Sequence, residues 1–194
     1  MWNLMKLVKQ TRTRIAAIAM TGALTLLSAP APARAQEAQP TPVPEVPLVG
    51  RDGTPVAGAA AFPLNGRWLL VIVRPGCAPC EALLTRIQGD AWTAVIPRMV
   101  IVSSGAPAAE AARLATLNPA LEPAVWYADE SARLATALQL QESPVVLAIH
   151  DRGIQWTLAG VLSGSKRMQD VLTAWVKNPP APRPATPAAP AAER

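Results

Sequence analysis

The chain has 194 residues and two cysteines, and 51% of its residues are hydrophobic. Its formal net charge is +5 at pH 7, but five of the 18 Lys and Arg residues lie within residues 1–35, which hold no acidic residue. Without that segment the chain has 13 basic and 13 acidic residues. The charge therefore gives no reason to expect a nucleic-acid partner.

The first 35 residues have the order of a secretory signal peptide. Four basic residues precede the apolar stretch "IAAIAMTGALTLLSA", and the small-residue pattern Ala33, Arg34, Ala35 follows it. We expect cleavage after Ala35 and export to the periplasm or beyond. In the alternative, the leader stays attached and anchors the protein to the membrane, although its apolar core is short for a span of about 20 residues.

The rest of the chain divides by composition into three parts. Residues 36–47, "QEAQPTPVPEVP", are Pro-rich and predict an extended linker. Residues 48–178 have the usual size of one domain with one core. Residues 179–194, "PPAPRPATPAAPAAER", contain little that could be buried, and we expect this tail to be disordered.

Strand and helix signals alternate through the first part of the domain. The apolar run Trp68–Val73 predicts a strand covered on both faces, and "CEALLTRI" predicts a helix directly after it. Met99–Ser104 predicts a second buried strand, followed by a helix over "PAAEAARLATL". A shorter helix is predicted at "SARLATAL", with Asp129 or Ser131 as its cap.

The end of the domain predicts a hairpin and a helix. "PVVLAIH" (Pro144–His150), the turn "DRG" and "IQWTLAG" have the pattern of two antiparallel strands. The segment "SKRMQDVLTAWVKN" predicts a helix with five apolar residues on one face: Met168, Val171, Leu172, Trp175 and Val176. Alternating elements that end in a hairpin and a helix predict an α/β domain of three layers with a mixed central sheet.

Both cysteines lie where the first predicted strand turns into a helix, in "RPGCAPCEALL". Cys77 should stand just ahead of the helix, close to free backbone N–H groups and the positive end of the helix dipole, which lower a thiol pKa from about 8.5 toward ~7. Cys80 begins the apolar stripe and should be the more buried sulfur. An exposed thiolate beside a buried thiol is the arrangement that disulfide exchange requires.

Two other interpretations of the cysteine pair remain open at this stage. The pair could be a static staple, although closing so short a loop removes little unfolded-state entropy. It could also be half of a zinc site, but such a site needs about four ligands and only His150 is available beside the two thiolates. We expect neither a bound metal nor a cofactor.

The order of these elements resembles the thioredoxin superfamily. A strand leads into Cys-x-x-Cys at a helix start, and about 65 residues later "ESP" enters a strand. More closely, "VGRDGTPVAGAAAFPLNGRWLLVIVRPGCAPCEALL" and "LQLQESPVVLAIHDRGIQWTLAGVLS" resemble exported thioredoxin-like thiol-disulfide oxidoreductases, including those that serve cytochrome c maturation. The resemblance covers about residues 46–178.

The resemblance implies a thioredoxin-like fold and a set of site residues. It makes Cys77 the attacking sulfur and Cys80 the resolving one. It also implies a cis peptide bond at Pro144, with Pro144 packed against the disulfide and the backbone of Ser143 pairing with an extended substrate segment.

This chain departs from the family pattern at two positions near the dithiol. Gly76 stands where family members usually have Trp, and Val71 stands where many have a buried acid that relays a proton to the resolving thiol. Arg74 could favour the Cys77 thiolate by its charge or be a solvated residue. Glu81 is adjacent to Cys80 in sequence, but we expect its side chain to point away.

The sequence thus predicts an exported thiol-disulfide oxidoreductase. Pro79 resembles the reducing members of the family and favours reduction of disulfides in envelope proteins, whereas an oxidising compartment would suit an oxidase or isomerase. Its partners would be protein disulfide substrates and a membrane electron-donor protein, and it would touch the membrane itself only through an uncleaved leader. The alternative is a redox-inactive binding or assembly module of the same fold. A copper-delivery protein of this fold is a weaker hypothesis, because such proteins usually space their cysteines more widely and add a well-placed His.

Overall fold

The computed structural model describes residues 40–63, 65–160 and 166–178. The predicted leader and the predicted tail lie outside these residues. Within them, eight strands form one sheet: β1 (Thr41–Pro42), β2 (Leu48–Gly50), β3 (Pro55–Val56), β4 (Arg67–Val73), β5 (Met99–Ser104), β6 (Val125–Asp129), β7 (Val145–His150) and β8 (Gly153–Ala159).

The helices of the described residues lie between these strands or after them. They are α1 (Gly58–Ala61), α2 (Ala78–Arg86), α3 (Ala108–Leu117), α4 (Arg133–Ala137) and α5 (Lys166–Lys177), with short 3-10 helices at Asp90–Trp92, Ile96–Arg98 and Pro119–Leu121. None of the helices in the described ranges is long and apolar enough to cross a membrane.

The sheet is mixed, as the sequence predicts. Its strand order is β1-β8-β7-β4-β5-β6-β2-β3, with β4 at its centre. The strands β4, β5 and β6 run parallel, whereas β7 lies antiparallel to β4 on its other side. The helices α2 and α3 connect the three parallel strands, and such connections are nearly always right-handed, which brings both helices to one face of the sheet.

Helices and loops cover both faces of the sheet. On one face, here called the α2 face, residues of α2, α3 and α5 pack on alternate residues of β4, namely Leu69, Val71 and Val73. On the other face, Phe62 and Leu134 pack on Trp68, Leu70 and Ile72. The three-layer α/β class is therefore confirmed.

The buried strands follow their sequence signals closely. All six residues from Trp68 to Val73 are at most 2% exposed, as expected for a strand covered on both faces. The predicted strand Met99–Ser104 is β5 with the same bounds, and the predicted hairpin forms β7 and β8. The prediction that Val171 lies on the buried face of α5 is wrong, because Val171 is 45% exposed. The buried residues of this face are Met168, Leu172 and Val176.

The predicted linker packs on the domain in its described part, residues 40–47. Thr41 and Pro42 pair antiparallel with Ile154 and Gly153 of β8. Val43 is only 3% exposed and belongs to the core on the face opposite α2. Proline is compatible with a strand at the edge of a sheet, because an edge strand need not donate every N–H. The folded unit therefore extends upstream of residue 48.

The start of α4 is capped by Asp129 rather than by Ser131. Asp129 is 1% exposed. One carboxylate oxygen accepts a hydrogen bond from the N–H of Arg133, and the other accepts from the N–H of Leu134, both at 2.9 Å. The second oxygen also accepts from the hydroxyl of Ser104 at 3.3 Å. Asp129 thus joins the end of β6, the end of β5 and the first turn of α4.

We expect Asp129→Ala to lower the free energy of unfolding by about 2 kcal/mol, because it leaves two helix N–H groups and a buried hydroxyl without their acceptor. Ser131→Ala serves as the control, since Ser131 is exposed and should change stability by less than about 0.5 kcal/mol. Urea unfolding followed by circular dichroism measures both variants. Equal destabilisation by the two substitutions would contradict the assignment of the cap.

Candidate functional site

The two cysteines lie at the junction between the central strand and α2. β4 ends at Val73, and residues 74–76 are exposed and connect it to Cys77, the N-cap of α2. Gly76 has φ +65°, in the left-handed region that favours glycine. Tryptophan, which family members usually carry here, would be strained in this backbone conformation.

Cys77 and Cys80 form a disulfide with Cα atoms 5.2 Å apart. Cys77 is half-buried. Its sulfur accepts a hydrogen bond from the backbone N–H of Cys80 at 3.2 Å, so the sulfur caps the helix. This N–H also donates to the carbonyl oxygen of Cys77 at 2.9 Å. A backbone N–H that points at a sulfur stabilises negative charge on it, and the positive end of the helix dipole acts in the same direction.

Cys80 is the buried partner. Its side chain is 1% exposed and packs in the same core as Leu83 and Leu84 of α2 and Val73 of β4. Pro79 occupies the first turn of α2, where its missing N–H breaks no helical hydrogen bond. The two sulfurs thus differ in exposure in the sense that the sequence predicts.

The segment that precedes β7 lies against the exposed side of the disulfide. The Ser143–Pro144 peptide bond is cis, as the resemblance implies. The carbonyl oxygen of Ser143 is 3.8 Å from the sulfur of Cys77. Ser143 is half-buried, and Pro144 is buried. The structure therefore brings the Ser143–Pro144 segment and the two cysteines together.

Gly160 holds this segment in place, a role that its sequence position alone does not reveal. Its N–H donates a hydrogen bond to the carbonyl oxygen of Pro144 at 3.0 Å. Its φ of +82° favours glycine, and the carboxylate of Glu142 lies where a side chain at this position would be. A glycine directly after a strand was the available signal, but it marks many ordinary turns as well.

The other polar residues near the cysteines in sequence do not approach the buried sulfur. Val71 is fully buried in β4 at the position of the family's acid. Glu81 is exposed on α2, as expected, and Arg74 is exposed at the end of β4. His150 lies at the far end of β7 from Pro144, about 20 Å away for a strand of this length. This distance argues against a zinc site that joins His150 to the cysteines.

Several solved structures are similar to this chain in fold. A secreted disulfide oxidoreductase of Mycobacterium tuberculosis, homologous to E. coli DsbE, matches with a TM-score of 0.54 and 17% sequence identity over 68% of this chain and 94% of its own. A thioredoxin-like protein of Porphyromonas gingivalis matches with a TM-score of 0.55 and 20% identity over 70% and 92% of the two chains. The chain has the thioredoxin fold.

A further match to the thioredoxin fold is a thiol:disulfide interchange protein of the thioredoxin family from Chlorobium tepidum. Its TM-score is 0.51, with 16% sequence identity over 72% of this chain and 98% of its own. No protein-family model and no curated protein sequence matches the chain. The predicted thioredoxin-like fold is confirmed.

In the reduced protein, we expect iodoacetamide to alkylate Cys77 much faster than Cys80. Cys77 is half-buried beside a helix N–H, which lowers the pKa of its thiol, whereas Cys80 is 1% exposed. Peptide mass spectrometry after short alkylation at several pH values measures each cysteine separately. Equal rates for the two sulfurs, or a faster Cys80, would contradict the assigned asymmetry.

Proposed function

We propose that this protein is an exported thiol-disulfide oxidoreductase that reduces disulfides of envelope proteins through Cys77 and Cys80. The observation that carries the proposal is the position of the Cys77 sulfur. It is half-buried, accepts a hydrogen bond from the N–H of Cys80, and lies 3.8 Å from the carbonyl oxygen of Ser143. A static staple would need none of these features.

In the proposed reaction, the thiolate of Cys77 attacks one sulfur of a substrate disulfide. The substrate disulfide breaks, a mixed disulfide forms with Cys77, and the first substrate sulfur leaves as a thiolate that takes up a proton. Cys80 then attacks the Cys77 sulfur of the mixed disulfide. The second substrate sulfur leaves, and the two electrons lost by the cysteine pair have reduced the substrate.

We infer that the Ser143–Pro144 segment binds the substrate backbone. The Ser143 carbonyl oxygen lies beside the attacking sulfur, and a substrate segment in extended conformation can pair with the backbone there, as in strand addition. Such pairing uses main-chain groups and is compatible with many substrate sequences. The Gly160 N–H holds the Pro144 carbonyl, which limits movement of this segment.

Two features of the sequence support the proposed direction of electron flow and the proposed compartment. Pro79 between the cysteines resembles the reducing members of the family, and the predicted leader directs export. A reductant in an oxidising compartment needs electrons from a partner, here a membrane electron-donor protein that reduces the Cys77–Cys80 disulfide after each turnover. The secreted Mycobacterium tuberculosis oxidoreductase of the same fold is consistent with export.

Serine substitutions at the two cysteines test the proposal. Cys77→Ser should abolish disulfide reduction, because it removes the attacking thiolate. Cys80→Ser should also abolish turnover, but it should accumulate a mixed disulfide through Cys77, because no second thiol resolves it. Insulin reduction with dithiothreitol as electron source measures turnover, and nonreducing gels with mass spectrometry detect the mixed disulfide.

The variant with both cysteines replaced by serine is the control for folding and for binding without redox chemistry. Disulfide reduction that persists in Cys77→Ser would overturn the proposal. If both single variants and the wild-type protein are equally inactive while the double variant still binds a partner stably, the binding-module alternative replaces it. The binding-module alternative is motivated by Val71, because this apolar residue is fully buried at the position of the family's acid.

A further inference from the structure

Ser103 is a buried polar residue in an otherwise apolar strand. It lies near the end of β5 and is fully buried. Its hydroxyl has no hydrogen-bond partner among the described residues of the protein. The neighbouring Ser104 is also buried, but its hydroxyl donates to Asp129. A buried hydroxyl without a partner destabilises a fold. The disulfide form of the protein therefore does not explain why residue 103 is a serine.

The strand pattern places Ser103 on the α2 face of the sheet. Successive side chains of a strand alternate between the two faces. Met99 and Ile101 pack in the core that contains α2, whereas Val100 and Val102 pack in the core on the other face. Ser103 follows Val102 and therefore lies on the same face as Cys80.

Ser103 also lies at the dithiol end of that face. Its Cα is paired with that of Val73, the last residue of β4, and Val73 packs in the same core as Cys80. Because α2 begins at Ala78, just after β4 ends, the first turn of α2 lies over this end of the parallel strands. Ser103 and Cys80 are thus in one layer, at one end of the sheet.

The resolving cysteine needs a polar neighbour only when it is reduced. In the disulfide, the Cys80 sulfur is bonded to Cys77 and carries no charge. In the reduced protein and in the mixed disulfide, Cys80 is a thiol that must lose its proton before it attacks. Burial among apolar side chains opposes that ionisation, and a nearby hydrogen-bond donor favours it. Val71 can supply no such group.

We propose that the Ser103 hydroxyl is the redox-dependent hydrogen-bond partner of Cys80. Ser103 is a positioning residue whose hydroxyl donates to the sulfur of reduced Cys80, more strongly once that sulfur is a thiolate, and so assists the resolving step; this inference rests on the proposed function. In that step Cys80 gives its proton to solvent, its thiolate bonds to the Cys77 sulfur, and the substrate sulfur leaves with the electron pair of the broken bond. The oxidant is the substrate disulfide, so no further reactant is needed.

The test compares Ser103→Ala with Ser104→Ala. Ser104→Ala also removes a serine hydroxyl, but from the neighbouring residue, on the opposite face of the sheet. Each full-length variant is equilibrated with glutathione buffers and unfolded with urea in both the oxidised and the reduced state. Ser103→Ala should shift the redox equilibrium about fivefold toward the disulfide, the effect of one lost hydrogen bond. It should destabilise only the reduced protein.

Ser104→Ala should lower the stability of both redox states equally and leave the redox equilibrium unchanged, because its partner is Asp129. The pKa of Cys80 is the second readout and is measured by thiolate absorbance in a Cys77→Ala background. Ser103→Ala should raise this pKa. An equal effect of Ser103→Ala on both redox states, or an unchanged pKa of Cys80, would overturn the inference.

The urea and pKa measurements do not require turnover, so they separate this inference from the proposed function. A wild-type protein that fails to reduce any disulfide would contradict the function alone. A redox-independent effect of Ser103→Ala in an active enzyme would contradict the role of Ser103 alone.

Discussion

The chemistry of this protein depends on one junction, at which a fully buried strand turns directly into a helix. Burial of β4 on both faces fixes the strand, since each large aliphatic side chain contributes about 1.5–3 kcal/mol when it leaves water. The strand in turn fixes the position at which α2 begins. Cys77 caps that helix with its sulfur, and Cys80 turns inward on its first turn. Exposure of one sulfur and burial of the other therefore follow from the backbone.

The second half of the site comes from the antiparallel neighbour of β4. The pairing of Ile72 with Val145 puts the start of β7 beside the end of β4. Pro144 and Ser143 precede Val145, so they reach the sulfur of Cys77 although 66 residues separate Ser143 from it in the chain. The central sheet thus assembles a site from two segments that are distant in sequence, and both segments lie at the ends of well-packed strands.

Much of this fold could be predicted from the sequence, because buried strands are continuous apolar runs and turns have characteristic residues. The apolar run of β5 predicts its observed bounds, and the sequence places the cysteines correctly at a helix start. Tertiary pairing decided the rest. Thr41 and Pro42 resemble linker residues in the sequence, but in the fold they pair with β8. Val171 fits the helical period but faces solvent. Ser103 looks like the polar end of a strand, and only its burial distinguishes it.

The equilibrium reduction potential of the Cys77–Cys80 couple tests the central claim most directly, namely that the disulfide is a working redox couple. It can be measured on residues 36–194 against graded dithiothreitol and glutathione buffers. The account predicts rapid equilibration at about −270 mV, the value of a thioredoxin-type reductant. A value of about −120 to −180 mV would reverse the proposed direction of electron flow. A reduction potential of the couple below about −300 mV would mark a structural disulfide and would contradict the claim.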